Sequence, residues 1–292
     1  MDYLVDRYLE YLSHIRDPKT VRQKRYWLNH LLRFGSLNLN SQNLVEFYKF
    51  LKDKGLKDNT IEQVLRDARK FILWVQKHYP DWNVFFDEET FEEIKLTKRK
   101  RLKPKEKETF TEDQLREVLE TSKDYGIFYY FTLLLAFSGL RLSEALALKV
   151  SDFKELSSNI WEIQVREAKF GKERTAYLIL PKDYVSSWRY FLTRAKYRKG
   201  LWRYKYPNGG KVYELTSDKV VKFYRWLSKE LGFKVNAHKF RKTFTVWLLK
   251  RGLDIASVQK LLGHSTAKTT LEVYAKVHEE DLKKNLINLF EK

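Results

Sequence analysis

Cysteine is absent from all 292 residues, and methionine occurs once. The first absence excludes disulfides and thiolate metal sites, so any zinc site would have to be built from histidine and carboxylate alone. It leaves the redox compartment open while fitting an intracellular protein, and the cytoplasm is the expected location. Long apolar runs are missing as well. The most apolar stretch, YGIFYYFTLLLAFSGL at 125–140, falls short of the roughly 18–20 residues a bilayer span needs and is interrupted by Gly126 and Ser138. It predicts a buried helix, and no membrane partner is expected. The opening MDYLVDRYLEYLSHIRD is amphipathic and charged throughout, unlike a signal peptide. No G-x-x-x-x-G-K-[ST] occurs, which disfavours a kinase or ATPase. The sequence offers no recognisable carboxylate cluster for a two-metal nuclease, and neither a metal nor a cofactor is expected.

Acid is scarce beside base. The 38 Asp and Glu stand against 57 Lys and Arg, a formal net charge of +19 with a pI near 9.7. Such an excess raises the local concentration of polyanions and points to a nucleic acid partner. The length accommodates two domains, each with its own core.

The first third reads as helices with punctuation. Asp17 and Pro18 stand at cap and first-turn positions before KTVRQKRYWLNHLLRF. Ser41 precedes QNLVEFYKFLKDK, with Gly55 just past its end, and Asp58 is expected to cap NTIEQVLRDARKFILWVQKHY. In that last segment Ile61, Leu65, Ala68, Ile72 and Val75 form one apolar stripe. A small helical domain with basic faces is predicted over residues 1–97. In KRKRLKPKEK, residues 98–107, seven of ten residues are Lys or Arg, so the run cannot bury a core and is expected to be an extended linker. Lys98, Arg99, Lys100 and Arg101 are its candidate phosphate contacts. Beyond it, Thr111 and Gln114 fit a capping box. NIWEIQVREAK (159–169) and ERTAYLILP (173–181), joined by a short turn, fit a β-hairpin, and helices fill most of the remainder. The fold class expected is mainly α with a small β-hairpin or sheet, in two domains.

Four short stretches carry chemistry. SGLRLSEALAL places Arg141 at a helix start with Glu144 one turn on. AHKFRKTF places His238 and Arg241 three apart on one helix. LLGH places His264 after a glycine, and TTLEVY ends on Tyr274. Each has an ordinary explanation when taken alone. Arg141 and Glu144 could form a surface ion pair worth roughly a few tenths of a kcal/mol. His238 and Arg241 could lie on a solvated face, Gly263 and His264 could end a helix, and Tyr274 could be core. A phenol titrates near about pH 10, so as a nucleophile it needs positive charge and a proton acceptor supplied from elsewhere.

In combination and in this order, Arg, hairpin Lys, His-x-x-Arg, Gly-His and Tyr resemble the tyrosine recombinase family, the phage-integrase and Xer-type enzymes. The resemblance extends over nearly the whole chain. It implies a core-binding domain at 1–97, the basic linker at 98–107 and a catalytic domain at 108–278. The tail at 279–292, with Leu282, Leu286 and Leu289 at helical spacing, would dock on a neighbouring protomer or pack on its own domain. Arg141 and Arg241 match the arginines that hold the non-bridging oxygens of a scissile phosphate, where two guanidiniums meet the developing charge. His238 would assist deprotonation of the phenol, and Lys169 would protonate the departing 5′-oxygen. Lys172 is the alternative within the turn. His264 would hydrogen-bond the phosphate, and Tyr274 would form a 3′-phosphotyrosyl link that conserves bond energy for resealing without ATP or metal. The implied partners are duplex DNA carrying a specific recombination site and three further copies of the chain, for chromosome-dimer resolution or mobile-element integration. Two rivals share part of the pattern. One is a helix-turn-helix DNA-binding regulator, since KFRKTFTVWLLKRGLDIASVQKLLG can be read as helix, turn at Gly252, helix. The other is a type IB topoisomerase relaxing DNA as a monomer.

Overall fold

The computed structural model describes residues 1–100, 109–166, 173–197, 200–205 and 212–263, with the backbone alone at 96–100. The chain divides into two compact units, Met1–Lys105 and Glu106–Lys292. As the sequence predicts, the described residues are mostly helical with small sheets.

The first unit holds α1 (Asp2–Ser13), α2 (Pro18–Phe34), α3 (Ser41–Asp53), α4 (Asp58–His78) and α5 (Glu88–Lys100). Two-residue strands β1 (Asn38–Leu39) and β2 (Phe85–Phe86) pair in parallel. Asp17 caps α2 by accepting from the Thr20 amide. Two caps differ from expectation by one residue. Asn40, not Ser41, accepts from the Asn43 amide to start α3, and Asp58 is the first helical residue of α4 rather than its cap. An acidic side chain in the first turn still meets the positive end of the helix. The apolar stripe of α4 is buried throughout, together with Phe71 of the same helix and Leu28, Leu31 and Phe47 from the neighbouring elements. Asp67, also buried on α4, is paired with Lys24. Helix α5 corrects the reading of the basic run: its backbone stays helical through Lys100, where an extended chain was expected from residue 98. Long unbranched Lys and Arg side chains lose little freedom in a helix, so charge density alone does not end one.

The second unit begins with α6 (Glu112–Ser122), whose Thr111–Gln114 capping box forms with both hydrogen bonds. Helix α7 (Ile127–Ser138) is the apolar run that is too short for a membrane, and it lies buried at the centre of the core. Among the described residues no helix is long and apolar enough to cross a membrane. After α8 (Leu142–Ala147), the chain forms an antiparallel sheet of β3 (Phe153–Ser157), β4 (Ile160–Val165) and β5 (Arg174–Ile179) in that order. The expected pair of strands is β4 and β5, antiparallel, with Val165 opposite Arg174 at the end of the register. Trp161, Ile163, Val165, Ala176 and Leu178 face the core at period two. There follow α9 (Lys182–Tyr197), the pair β6 (Arg203–Lys205) and β7 (Val212–Glu214), α10 (Ser217–Glu230), α11 (Ala237–Lys250) and α12 (Ile255–Leu262). Helix α11 packs on α7 and α12, and α12 packs on β5. The ends of α7, α8, α11, α12 and β5 therefore converge.

Candidate active site

Two glycines permit that convergence. Gly139 ends α7 with φ +62°, and a Cβ there would stand 2.5 Å from Leu262 Cδ2 on α12 and 2.6 Å from Phe244 Cδ1 on α11. Gly263 ends α12 with φ +65°, and its Cβ would stand 2.6 Å from Arg174 Cδ. Both the left-handed backbone and the close approach require the missing side chain.

Arg141 occupies the N-cap of α8. Its amide donates to Glu144 Oε2 at 2.8 Å and its Nη1 to Glu144 Oε1 at 2.6 Å. This is not a surface pair. The Glu144 side chain is 1% exposed, and its Oε2 also accepts from Arg174 Nη2 at 2.7 Å, with Arg241 Nη1 4.0 Å away. Three guanidiniums thus surround one carboxylate, leaving two positive charges uncompensated within the cluster. Arg241 is 6% exposed, Arg174 11% and Arg141 28%, so Arg141 stands nearest to solvent.

The C-terminal end of α12 holds the other arms of these arginines. A helix leaves its last carbonyls without intrahelical partners. Here the Gly263 amide takes those of Gln259 and Lys260. The next three each accept from a different arginine: Leu261 O from Arg174 Nη1, Leu262 O from Arg241 Nη2 and Gly263 O from Arg141 Nη2, at 2.7, 2.7 and 2.8 Å. Arg241 Nη1 also donates to Gly139 O at 2.7 Å. The negative end of the helix dipole favours this cationic cluster.

Burial pushes the Arg241 guanidinium down to about 9, with the charges of Arg141 and Arg174 adding to the effect and Glu144 opposing it. It remains charged at neutral pH. Burial alone would raise the Glu144 carboxyl, but Arg174 first and Arg141 next outweigh it, and the net direction is downward. Such an arrangement is built to receive an anion at its Arg141 side, because preorganised donors stabilise negative charge without reorganising.

The sequence candidates are distributed as follows. Arg141 and Arg241 come together. His238 is exposed on the first turn of α11, one turn before buried Arg241. Its neighbour Lys239 is largely buried, with Nζ 4.4 Å from the Phe110 ring centroid. Lys169, Lys172, His264, Tyr274, Arg101 and the leucines of the tail lie outside the described residues, as do the side chains of Lys98, Arg99 and Lys100. Sequence reasoning missed Arg174 and gave Glu144 only the part of an ion-pair partner. The available signal was phase: Arg174 shares the core-facing register of Ala176 and Leu178, where a charge needs a buried partner.

Fold and cluster together define a mainly helical protein whose second unit gathers arginines around one carboxylate. The model of the phage integrase family matches residues 108–281, and the chain belongs to that family, the tyrosine recombinases. It is 33% identical to a probable integrase/recombinase of Aquifex aeolicus strain VF5, across 96% of this chain and 97% of the relative. It is 27% identical to the tyrosine recombinase XerA of Thermococcus kodakarensis, across 92% of this chain and 88% of that one. Its fold is similar to that of the Tn1549 transposon integrase solved in complex with a circular intermediate DNA. The TM-score is 0.67 at 17% identity, covering 96% of this chain and 99% of the other.

Proposed function

We propose that the chain is a site-specific recombinase that cleaves and rejoins duplex DNA through a 3′-phosphotyrosyl intermediate. The observation carrying this reading is the buried Glu144 surrounded by Arg141, Arg174 and Arg241, whose surplus positive charge suits a phosphodiester gaining charge in the transition state. In this reading the Tyr274 oxygen attacks phosphorus while the bond to the 5′-oxygen breaks. His238 assists removal of the phenolic proton, and Lys169, rather than Lys172, protonates the leaving oxygen. Arg141, Arg241 and His264 bind the non-bridging oxygens. The products are a 3′-phosphotyrosine and a free 5′-hydroxyl, and the reverse attack on a partner strand reseals the DNA without ATP or a metal.

Residues 1–97 serve as the core-binding domain, 98–107 as a basic linker along the phosphates and 108–278 as the catalytic domain. The tail at 279–292 reaches a neighbouring protomer in a synaptic tetramer. XerA and a transposon integrase both stand among the similar proteins, and dimer resolution and element integration use the same chemistry. A non-catalytic helix-turn-helix regulator would account for the net charge but gives no reason to bury Arg241 and Glu144 at the foot of α11 and α8. The test uses a duplex selected by the protein from a random pool. The parent chain should leave a covalent adduct on denaturing gels, and Tyr274→Phe should bind the same duplex and leave none. A covalent adduct from Tyr274→Phe would sink the assignment of the nucleophile.

A further inference from the structure

We infer that Arg174 is a positioning residue for cleavage, holding Glu144 so that Glu144 can aim the Arg141 guanidinium. The inference rests on the recombinase reading above and adds a residue to it.

Arg174 is the first residue of β5, directly opposite Val165, and stands two residues after Lys172 in the sequence. A largely buried arginine in a core-facing register costs desolvation unless both arms are used. Both are. Nη2 donates to Glu144 Oε2, and Nη1 donates to Leu261 O, the first of the three carbonyls at the end of α12 that take arginines. Gly263 leaves room for its stem, since a Cβ there would overlap Arg174 Cδ and Nε.

The fork has a geometric consequence. Glu144 Oε2 is pinned from two directions, by the Arg141 amide and by Arg174, which fixes the carboxylate plane and leaves Oε1 for Arg141 Nη1. Arg141 is the most exposed of the three arginines and the one that opens towards an incoming anion. Without Arg174 the carboxylate keeps only its two hydrogen bonds with Arg141 and can pivot together with it, so Arg141 loses its outside reference while keeping its charge.

The test is single-turnover cleavage by the full chain carrying Arg174→Lys, which preserves the charge but not the planar fork. Three versions of one selected duplex are compared: ordinary DNA, a methylphosphonate at the scissile position, which removes the charge the arginines meet, and sulfur in place of the 5′-bridging oxygen. Relative to the parent, cleavage of ordinary DNA should fall roughly 10- to 100-fold, the scale of a small misplacement. The deficit should largely disappear on the methylphosphonate and persist on the sulfur substrate, with DNA affinity unchanged. Glu144→Gln breaks the same chain of contacts one link later and should give the same pattern, so a folding defect in one variant leaves the other to decide. An equal deficit on all three duplexes would reduce Arg174 to a structural residue and overturn the proposal. Recovery on the sulfur substrate alone would place its action on the lysine turn and overturn it too. A parent chain that forms no adduct would instead remove the recombinase reading itself.

Discussion

At the scale of single residues, Glu144 is the centre of the charge arrangement. Burial opposes its ionisation, while the hydrogen bonds and charges of Arg174 and Arg141 favour it more strongly, so its folded-state carboxyl titrates below the ordinary 4.5. A depressed carboxyl contributes stability that is complete above its unfolded value and is lost as pH falls through the folded one. Removing one member of a buried charged group costs about 3–5 kcal/mol. Glu144→Gln should therefore melt well below the parent chain at neutral pH. The gap should hold down to about pH 5 and narrow as the pH drops further, because the parent's own carboxylate is then protonated. Melting curves of both proteins from pH 7 to pH 3 check this, and a gap of constant size would contradict the ionised state assigned to Glu144.

At the scale of elements, the site is a meeting of helix ends, and Gly139 sets how closely they meet. Gly139→Ala would place a methyl against Leu262 and Phe244 in a backbone conformation that L side chains rarely adopt. Overlap and strain cost about 1–3 kcal/mol each. The variant should lose several degrees of melting temperature, and it should also lose cleavage, because the Gly139 carbonyl holds Arg241. Wild-type melting and cleavage would show that the helices can separate without disturbing the arginines. The same elements mark what could be read in advance. Helices α2 and α6 follow from their caps, α4 from its apolar stripe and α7 from its unbroken apolar run, and the hairpin follows from two β-rich runs on either side of a short turn. Strand β3 escaped because FKELS is largely exposed and shows no apolar alternation; only its pairing with β4 makes it a strand. Arg141 and Arg241 were legible as members of a sequence pattern. Arg174 was not, because its partners Glu144 and Leu261 lie 30 and 87 residues away, and pairing over that distance is a property of the fold.

At the scale of the whole molecule, the net charge of +19 sets the expected binding behaviour. Affinity for duplex DNA should fall linearly in log K against log salt, with a slope of about −0.9 for each phosphate neutralised. Replacing Lys98, Arg99, Lys100 and Arg101 together by alanine should flatten that slope by up to about four phosphate equivalents. Because α5 remains helical to Lys100, the backbone at Lys98, Arg99 and Lys100 advances only about 1.5 Å per residue. A helical rise is short for tracking one phosphate strand residue by residue, and the change should fall short of the maximum. Titrations at several salt concentrations measure it directly, and an unchanged slope would remove the basic run from the interface.

The three carbonyls at the end of α12 also impose an order of events on synthesis. Arg141 emerges from the ribosome well before its acceptor Gly263, which is 122 residues later. At about 5–20 residues per second, that interval is roughly 6 to 24 s. Throughout it Arg141 lacks the helix end that holds its outer arm, even though Glu144 is already at hand, and Arg241 itself is made only near its close. A nascent chain can acquire the first unit and much of the second without an assembled cluster. Completion of α12 is therefore the last step in assembling the cluster.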